Sequence, residues 1–278
     1  MEKILIVDGS QLLFQSFYGM PRKIMNKNNE NIEAVICFIG IILKSLKVIN
    51  PTKLLIVFDG ENKLERQKIN QDYKSNRKSY NNVIQTENPF VQLEIIKHVL
   101  NYLKFKWVET TDCEADDYIA GITNTLKRNN FIIISSTDKD FFQLIEKNVS
   151  QFIYRGKKSK LYSEEVFLLE YKFKPAYYSS FKSLVGDVSD NISGIKGIGT
   201  KTATELILNY KDVFSIIDNF QFLPKRIKII LATEQNKLLE NYKLIDLSQK
   251  QILIDLSELN YNLPKLTTIN ILKECEIM

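Results

Sequence analysis

The chain has 278 residues, 44% of them hydrophobic, which is enough for one large domain or two unequal domains with a sizeable core. Its formal net charge of +5 is mildly basic and does not by itself establish a nucleic-acid partner. Its 3 cysteines lack a CxxC spacing and it has 1 histidine, which argues against a disulfide framework, a zinc site and a Ser-His-Asp hydrolase.

The first part of the chain predicts two buried strands, each of which ends at an aspartate. Residues 4–7 and 54–58 are short apolar runs, typical of strands buried on both faces of a parallel sheet. Asp8 follows the first run directly, and Asp59 follows the second. A segment with helical apolar spacing lies between them, and this alternation favours a mostly parallel sheet.

Residues 61–90 are polar and rich in charge. Tyr73 lies between basic residues, and Lys74 and Arg77 are spaced to share one helical face. Basic and aromatic side chains in alternation suit a single-stranded nucleic acid, because rings stack on bases and cations bind phosphates. A solvated, charged helix or loop would have the same composition, so this segment alone leaves both interpretations open.

Three acidic residues open a helical segment after a short predicted strand at 105–108. Glu114 and Asp117 share a helix face, whereas Asp116 points to a different partner. Acidic residues in a first turn commonly do no more than complement the helix dipole. Three of them, in a chain that also has a tight Asp-Lys-Asp sequence after its next strand, favour a ligand site instead.

Two more acidic pairs follow along the chain. The third apolar run, residues 131–134, leads into Asp138 and Asp140. Asp187 and Asp190 lie three residues apart in a polar segment, where aspartates are also ordinary turn formers. Taken alone, this last pair fits a turn as well as it fits a ligand site.

The acidic residues are predicted to meet at one edge of one sheet. Ligand sites in open α/β sheets lie beyond the carboxyl ends of the strands. Carboxylates brought together there repel one another unless a counter-charge lies among them, and oxygen ligands alone indicate Mg²⁺ or Mn²⁺. The predicted metal ligands are Asp8, Asp59, Glu114, Asp116, Asp117, Asp138, Asp140, Asp187 and Asp190.

From residue 175 onward the chain is predicted to be helical apart from short loops. Gly197, Gly199, Lys201 and Thr202 precede or open one of these helices. Glycines let the backbone approach a phosphate, and free N–H groups at a helix start can donate to it. The pattern resembles the second half of a helix-hairpin-helix, which grips a DNA backbone without reading bases. A plain glycine-rich turn between helices is the alternative.

No targeting or membrane segment is predicted. The longest uncharged apolar stretch, residues 34–43, is shorter than the roughly 20 residues of a membrane span. The chain enters a predicted strand soon after Met1, so we expect no signal peptide. These features favour a reducing cytoplasm, and we expect the protein to be a monomer.

Six motifs, taken together and in this order, closely resemble the 5′-nuclease family. That family includes the N-terminal exonuclease domain of bacterial DNA polymerase I, phage 5′ exonucleases and flap endonucleases. The motifs are Ile6-Val7-Asp8-Gly9-Ser10, Val57-Phe58-Asp59-Gly60, Tyr73-Lys74-Ser75-Asn76-Arg77, Glu114-Ala115-Asp116-Asp117, Ser136-Thr137-Asp138-Lys139-Asp140, and Leu184-Val185-Gly186-Asp187 with the stretch that follows to Ala203. The resemblance begins at residue 4, extends to about residue 210, and is compatible with the helical remainder.

The resemblance implies an α/β fold with a PIN-like, mostly parallel central sheet flanked by helices. It implies a nuclease core over residues 1–174 with a helical arch at 61–90, and a helix-hairpin-helix DNA-binding region over 175–278. The implied activity is a two-metal-dependent 5′-3′ exonuclease or flap endonuclease acting in replication and repair. Its implied partner is DNA with a 5′ flap, a nick or a 5′ end, including RNA–DNA primer junctions.

The resemblance also implies a role for each predicted site residue. The first metal is assigned to Asp138, Asp140, Glu114 and Asp116, and the second to Asp187, Asp190 and Asp117, while Asp8 and Asp59 act directly or through water. Lys74 and Arg77 form a basic pair at the base of the arch that stabilises charge on the scissile phosphate. Contacts with DNA are assigned to Tyr73, Gly197, Gly199, Lys201 and Thr202.

Three other functions remain open from the sequence. A PIN-type ribonuclease has a similar acidic sheet edge, although the helix-hairpin-helix and the basic arch argue against it. A haloacid-dehalogenase-type phosphatase resembles the strand before Asp59, but it needs a second aspartate where Glu61 stands. A non-catalytic module that binds branched DNA would share the basic motifs, and metal-dependent cleavage would exclude it.

Overall fold

The apolar runs of the sequence form the inner strands of a six-stranded sheet. The computed structural model describes residues 1–60, 64–76, 80, 83–248 and 250–278. The strands are β1 (Lys3–Asp8), β2 (Lys53–Phe58), β3 (Trp107–Glu109), β4 (Phe131–Ser135), β5 (Val149–Ile153) and β6 (Lys160–Tyr162). Their order is β3-β2-β1-β4-β5-β6, and every neighbouring pair is parallel except β5 and β6. The predicted mostly parallel sheet is confirmed.

The register of the sheet brings the ends of the central strands to the same edge. Ile6 of β1 lies opposite Leu55 of β2 and Ile134 of β4. All three residues are completely buried, because helices cover both faces. Since these strands are parallel, the residues that follow β1, β2 and β4 emerge side by side.

The described residues form eleven α-helices, and those nearest the sheet cover both of its faces. They are α1 (Gly9–Gly19), α2 (Glu33–Ile49), α3 (Leu64–Ile69), α4 (Leu93–Tyr102), α5 (Ala115–Leu126), α6 (Glu164–Tyr171), α7 (Tyr178–Val185), α8 (Thr200–Tyr210), α9 (Val213–Asp218), α10 (Lys225–Ile245) and α11 (Thr268–Glu274). Phe38 of α2 belongs to the same buried cluster as Leu5. Ile119 of α5 packs with Ile4 and Val57 on the other face. Within the described residues, none of these helices has the length and apolar character that a bilayer span requires.

A second apolar cluster joins the helical C-terminal part to the sheet. It includes Phe142 and Ile153 from the sheet side and Leu184, Leu206 and Leu231 from α7, α8 and α10. Two short antiparallel strands, β7 (Gly186–Asp187) and β8 (Ile192–Ser193), follow α7. The helical C-terminal region is therefore confirmed, with one small strand pair inserted.

The segment after α10 returns across the sheet domain and is less helical than predicted. Apart from one 3₁₀ turn (Leu256–Leu259), its described residues before α11 are irregular. Ile252 N donates to Gly121 O of α5 at 3.2 Å, and the Tyr261 hydroxyl donates to Pro51 O at 2.7 Å. These contacts, one to the middle of α5 and one to the loop before β2, replace the hydrogen bonds of a regular helix.

The predicted arch is described in part. α3 opens it, and turns follow through residue 76. Short 3₁₀ helices over Gln85–Glu87 and Pro89–Gln92 lead back to α4. Arg77 lies outside the described residues, so its predicted place beside Lys74 stays a prediction.

Candidate metal centre

Asp8 lies at the junction of β1 and α1, where two hydrogen bonds hold its carboxylate. Oδ1 accepts from Gln11 N at 2.9 Å and so caps the helix. Oδ2 accepts from Ser136 Oγ at 2.8 Å. Burial raises the pKa of Asp8 to about 7, and the charges of Asp59 and Asp138 add to that effect. The two hydrogen bonds to the Asp8 carboxylate thus only partly offset the cost of burying its charge.

Asp59 occupies the corresponding position after β2. Its Oδ1 accepts from Ala115 N at 2.9 Å and so connects β2 to the first turn of α5. The backbone N of Asp59 donates to Ser10 Oγ at 2.7 Å. The residue after Asp59 has to be glycine, because a Cβ on Gly60 would lie 1.8 Å from Thr110 O. The backbone therefore fixes the Asp59 carboxylate beside α5.

The turn after β4 presents Asp138 and Asp140. Asp138 Oδ1 accepts from Asp140 N at 2.9 Å, which starts a short 3₁₀ helix over Lys139–Leu144. Asp138 N donates to Ser136 Oγ at 3.0 Å, and the same hydroxyl donates to Asp8. Desolvation, followed by the charge of Asp138, raises the pKa of Asp140 to about 7. The turn therefore adds two carboxylates to the edge where Asp8 lies.

Asp140 comes together with Asp187 and Asp190 from the helical part of the chain. Each offers a carboxylate oxygen, and these oxygens all lie within 4.8 Å of one another. Lys182 Nζ of α7 is 2.5 Å from Asp140 Oδ1 and also contacts Asp187 Oδ2. Burial alone would lower the pKa of Lys182, but these two carboxylates outweigh it and raise the pKa. The structure thus brings Asp140, which was assigned to the first metal, together with Asp187 and Asp190, which were assigned to the second.

Lys182 is not among the residues predicted for the site. It is the one charged residue of α7, and its side chain is 11% exposed. A lone lysine in an otherwise uncharged helix, shortly before the predicted ligand Asp187, is the signal that would have found it. The contact with Asp140 could not be predicted in this way, because it joins segments that are distant in sequence.

Glu114 and Asp117 are held by Arg66 of α3, which the sequence motifs also did not single out. Arg66 Nη1 is 2.6 Å from Glu114 Oε2, and Nη2 is 2.8 Å from Asp117 Oδ1. All three side chains are buried. Asp117, expected beside Asp187 and Asp190, is therefore paired with a guanidinium. This pair of contacts docks the start of the predicted arch on the acidic edge. By this name we mean the edge of the sheet where the predicted acidic ligands meet.

Lys74 points into the acidic edge. Its Nζ is 2.8 Å from Glu114 Oε2, 3.7 Å from Asp116 Oδ2 and 3.9 Å from Asp190 Oδ2. Burial would lower the pKa of Lys74, but the surrounding carboxylates, Asp116 first among them, outweigh it and raise the pKa. The ammonium therefore stays charged at neutral pH and lies between acids from two elements.

Tyr73 is buried, which corrects the expectation that its ring contacts DNA. The residue is 2% exposed, and its hydroxyl lies 3.1 Å from Glu114 Oε2 and 3.3 Å from Asp190 Oδ2. Arg66 Nη1 donates to the same hydroxyl at 3.3 Å. A ring enclosed in this way offers no face to a nucleic-acid base. In this structure Tyr73 connects the predicted arch to the acids instead.

The donor set fits divalent metal. Burial raises the pKa of Asp116 well above its ordinary value, and the charges of Asp138 and Asp8 add to this while Lys74 opposes it. In the part of the chain that the structure describes, three basic side chains, those of Arg66, Lys74 and Lys182, form ion pairs with six of the nine predicted acids. Negative charge is therefore in excess, and every acidic donor is oxygen, as Mg²⁺ and Mn²⁺ prefer.

The glycine-rich turn lies between β8 and α8. Gly197 has a φ of 89°, a left-handed conformation that favours glycine. Gly199 immediately precedes α8, and Lys201 and Thr202 lie in its first turn, where Lys201 is exposed and Thr202 is partly buried. Arg226 Nη2 of α10 donates to Gly197 O at 3.0 Å. The turn thus presents backbone and a lysine to solvent at a helix start.

Known relatives match the chain along nearly all of its length. Residues 3–172 match the family model for the N-terminal resolvase-like domain of 5′-3′ exonucleases, and residues 173–267 match the model for their C-terminal SAM fold. A 5′-3′ exonuclease of Aquifex aeolicus is 28% identical over 99% of this chain and 96% of its own length. A 5′-3′ exonuclease of Mycoplasmopsis pulmonis is 33% identical over 97% of this chain and 81% of its own. DNA polymerase I of Caldicellulosiruptor bescii is 32% identical over 81% of this chain, a match that covers 26% of the polymerase.

Solved structures resemble the fold. The T5 5′-exonuclease with bound zinc is 21% identical with a TM-score of 0.73, covering 98% of this chain and 99% of its own. A bacteriophage T5 flap endonuclease complex with DNA and metal ions is also 21% identical with a TM-score of 0.73, covering 99% of each chain. The catalytic core of Rad2 with a DNA substrate is 17% identical with a TM-score of 0.63, covering 98% and 87%. At these identities the likeness shows a shared fold.

Proposed function

Because the chain belongs to the 5′-3′ exonuclease family, we propose that it hydrolyses phosphodiester bonds at 5′ ends and 5′ flaps of DNA. The observation that carries the proposal is the meeting of Asp140, Asp187 and Asp190 within 4.8 Å at the edge where Asp8 and Asp59 also lie. The relatives named 5′-3′ exonuclease and the T5 structure titled with DNA and metal ions support the same substrate.

Two ions of Mg²⁺ or Mn²⁺ are the proposed cofactor. Asp140, Asp187 and Asp190 would hold one, and the second set comprises Asp8, Asp59, Glu114, Asp116 and Asp138. Asp117 would act through its ion pair with Arg66. When bound, such ions lower the pKa of an attacking water and stabilise the leaving oxygen. The protein's own contribution is to hold the carboxylates in place and to keep their charge repulsion high until metal binds.

Lys74 is the proposed catalytic cation. Its ammonium already lies among the acids, in a turn that leads into the predicted arch. A fixed positive charge there stabilises a phosphoryl group more as its negative charge grows, so it accelerates the reaction rather than merely binding substrate. Arg77, which lies outside the described residues, stays the proposed second cation because a guanidinium can bind phosphate bidentately.

The helical part is proposed to hold duplex DNA. Gly197, Gly199, Lys201 and Thr202 would contact the phosphate backbone from the start of α8, without sequence preference. The division into a nuclease core (1–174) and a DNA-binding region (175–278) is proposed on this basis. The substrates are 5′-flap, nicked and 5′-ended duplexes, including RNA–DNA primer junctions, and the protein is proposed to act as a monomer.

A cleavage assay tests the function. A labelled 5′-flap duplex is incubated with the protein in Mg²⁺, in Mn²⁺ and in excess EDTA, beside the same flap made of RNA and beside single-stranded RNA. We expect cleavage near the junction in either metal and none in EDTA. Undiminished cleavage in EDTA would contradict the metal requirement. Cleavage confined to single-stranded RNA would indicate a PIN-type ribonuclease, and binding without cleavage a non-catalytic module.

A further inference from the structure

Two buried glutamines contact the turn that carries Asp138 and Asp140. Gln151 lies in β5 and is completely buried. Gln143 lies in the 3₁₀ helix that contains Asp140, and it is 9% exposed. Neither belongs to the motifs that predict the site, and neither carries a charge. Their amide groups are aimed at backbone rather than at the carboxylates.

Gln151 holds the first half of the turn. Its Nε2 donates to Ser136 O at 3.0 Å and to Asp138 O at 2.5 Å. The parallel register places Gln151 opposite Ile134, so its side chain lies directly beside the end of β4. A buried carbonyl that loses its donor is costly, because water does not replace the lost bond. Two backbone carbonyls of the turn, those of Ser136 and Asp138, therefore depend on this one amide for a hydrogen bond.

Gln143 holds the second half of the turn and connects it to the helical part. Its Nε2 donates to Asp140 O at 2.9 Å and to Ile245 O at 3.0 Å. Its Oε1 accepts from Leu247 N at 2.9 Å. Ile245 is the last residue of α10, so a single side chain joins the Asp140 backbone to the end of the longest helix in the described structure.

We propose that Gln143 and Gln151 are positioning residues that set the Asp138 and Asp140 carboxylates for divalent metal. The backbone limits where a carboxylate can lie, and these two amides bind the backbone carbonyls of both acids and of Ser136 before them. Groups that orient metal ligands typically change metal affinity by about 10- to 100-fold when removed. The inference rests on the proposed function, because it concerns the metal which that function requires.

Methionine variants test the role. Gln143→Met and Gln151→Met preserve side-chain length and remove the amide. Gln92→Met is the matched control, because Gln92 is 1% exposed and its Oε1 accepts from Ala34 N at 2.9 Å and Val35 N at 3.3 Å. Those bonds lie at the start of α2 rather than at the acidic turn. The control therefore also loses two buried side-chain bonds to the backbone, here accepted from N–H groups, without touching the turn.

The readout is Mn²⁺ binding by calorimetry without DNA, together with thermal unfolding of the metal-free proteins. We expect all three variants to melt at lower temperature than the wild type. We expect the Mn²⁺ dissociation constant to rise by about 10- to 100-fold in Gln143→Met and Gln151→Met and to stay unchanged in Gln92→Met. An unchanged dissociation constant in the two test variants, or an equal rise in the control, overturns the proposal.

Further outcomes separate this inference from the proposed function. A wild-type protein that binds no Mn²⁺ contradicts the proposed metal centre itself, whereas normal wild-type binding with unaffected variants contradicts the positioning role alone. If Gln151→Met does not fold, the Mn²⁺ dissociation constant of Gln143→Met, at the less buried position, decides the question. Gln151→Asn keeps an amide on a shorter side chain, so it should raise the dissociation constant less than methionine does; a larger rise contradicts the role.

Discussion

Lys74 and Lys182 reach the acidic edge from different elements and contact several carboxylates each. Lys74 contacts Glu114 most closely, and Lys182 contacts Asp140 and Asp187. A divalent ion that bound the same oxygens would compete with these ammonium groups. Under the proposed function, a lysine freed from its carboxylates would carry a charge available to stabilise a phosphate.

Lys74→Ala should slow cleavage while leaving DNA binding nearly intact. Loss of one electrostatic donor at a reacting phosphate typically reduces the rate by about 10²–10³. The measurement is single-turnover cleavage of a 5′-flap duplex, with dissociation constants determined in Ca²⁺. Lys74 has a left-handed φ of 55°, so Lys104→Ala is a suitable control: Lys104 is exposed, has a φ of 54° and precedes β3 at the opposite edge of the sheet. If Lys74→Ala has a normal rate at saturation but binds DNA much more weakly, Lys74 binds the substrate and does not accelerate the reaction.

Asp187→Asn should raise the metal concentration needed for cleavage by at least about tenfold, because one charged ligand is lost. If Asp187 belongs to a weaker site shared with Asp190, high Mn²⁺ should restore part of the rate. The measurement is the cleavage rate over a Mn²⁺ titration. Asp212→Asn is the control, since Asp212 caps α9 and asparagine can replace it as a cap. A variant equally inactive at every Mn²⁺ concentration would contradict the weaker-site role.

At the level of elements, buried ion pairs attach α3 to the start of α5. Arg66 is buried between Glu114 and Asp117, and Tyr73 donates into the same group. Charged pairs inside a protein contribute little to net stability, but breaking one leaves an uncompensated charge. The start of the predicted arch is thus held by contacts that depend on the electrostatic state of the acidic edge.

Arg66→Met should reduce the free energy of unfolding of the metal-free protein by about 3–5 kcal/mol, because two acids lose their buried partner. Mg²⁺ should recover part of this loss, since it supplies positive charge to the same edge. Urea unfolding with and without Mg²⁺ measures both effects. Arg22→Met, at an exposed arginine, should be nearly neutral. A loss in Arg66→Met no larger than in Arg22→Met would contradict the docking role.

Lys201→Ala should weaken DNA binding equally for all sequences. Lys201 is exposed in the first turn of α8, where its charge would bind a backbone phosphate. Loss of one phosphate contact lowers the slope of log K against log salt by about one. Binding of nicked duplexes of unrelated sequence is measured over a range of salt in Ca²⁺, with Lys211→Ala at the far end of α8 as the control. An unchanged salt slope would contradict the assignment.

Strand ends were easier to predict than side-chain partners. The apolar runs before Asp8 and Asp59 predicted both the sheet and the edge that carries the acids. This was possible because the spacing of apolar residues that leads to a buried strand is a local property of the sequence. Arg66 was missed because both of its acidic partners come from a distant segment, and the contact of Lys182 with Asp140 could not be predicted for the same reason. Tyr73 was predicted to contact DNA because it lies between basic residues, but the structure buries it with its hydroxyl beside Glu114 and Asp190. Composition does not report which way a residue faces in a turn.

For the molecule as a whole, the acidic edge makes metal binding and stability depend on pH. The pKa values of Asp8 and Asp140 are raised to about 7 in the metal-free fold, chiefly by desolvation. Their contribution to stability is complete below the ordinary aspartate value of about 4 and is lost as pH rises through about 7. Metal binds the charged forms, so its affinity rises over the same interval.

The increase in melting temperature produced by Mg²⁺ should therefore be small at pH about 5 and large at pH about 8. Differential scanning calorimetry at several pH values, with and without Mg²⁺, measures this difference. The Asp8→Asn, Asp140→Asn double variant should show a much weaker pH dependence, because the groups that titrate are gone. An equal Mg²⁺ effect at both pH values in the wild type would contradict the raised pKa values.

The cluster of Asp140, Asp187 and Asp190 lies on the seam between two separately matched regions of the chain, residues 3–172 and 173–267. Neither region alone contains all three carboxylates. If the three carboxylates hold a metal as proposed, exchange of one region for that of a relative would have to keep their oxygens within the same 4.8 Å, whatever the stability of each half. A chimera of two active relatives would then be well folded yet inactive unless this geometry is preserved.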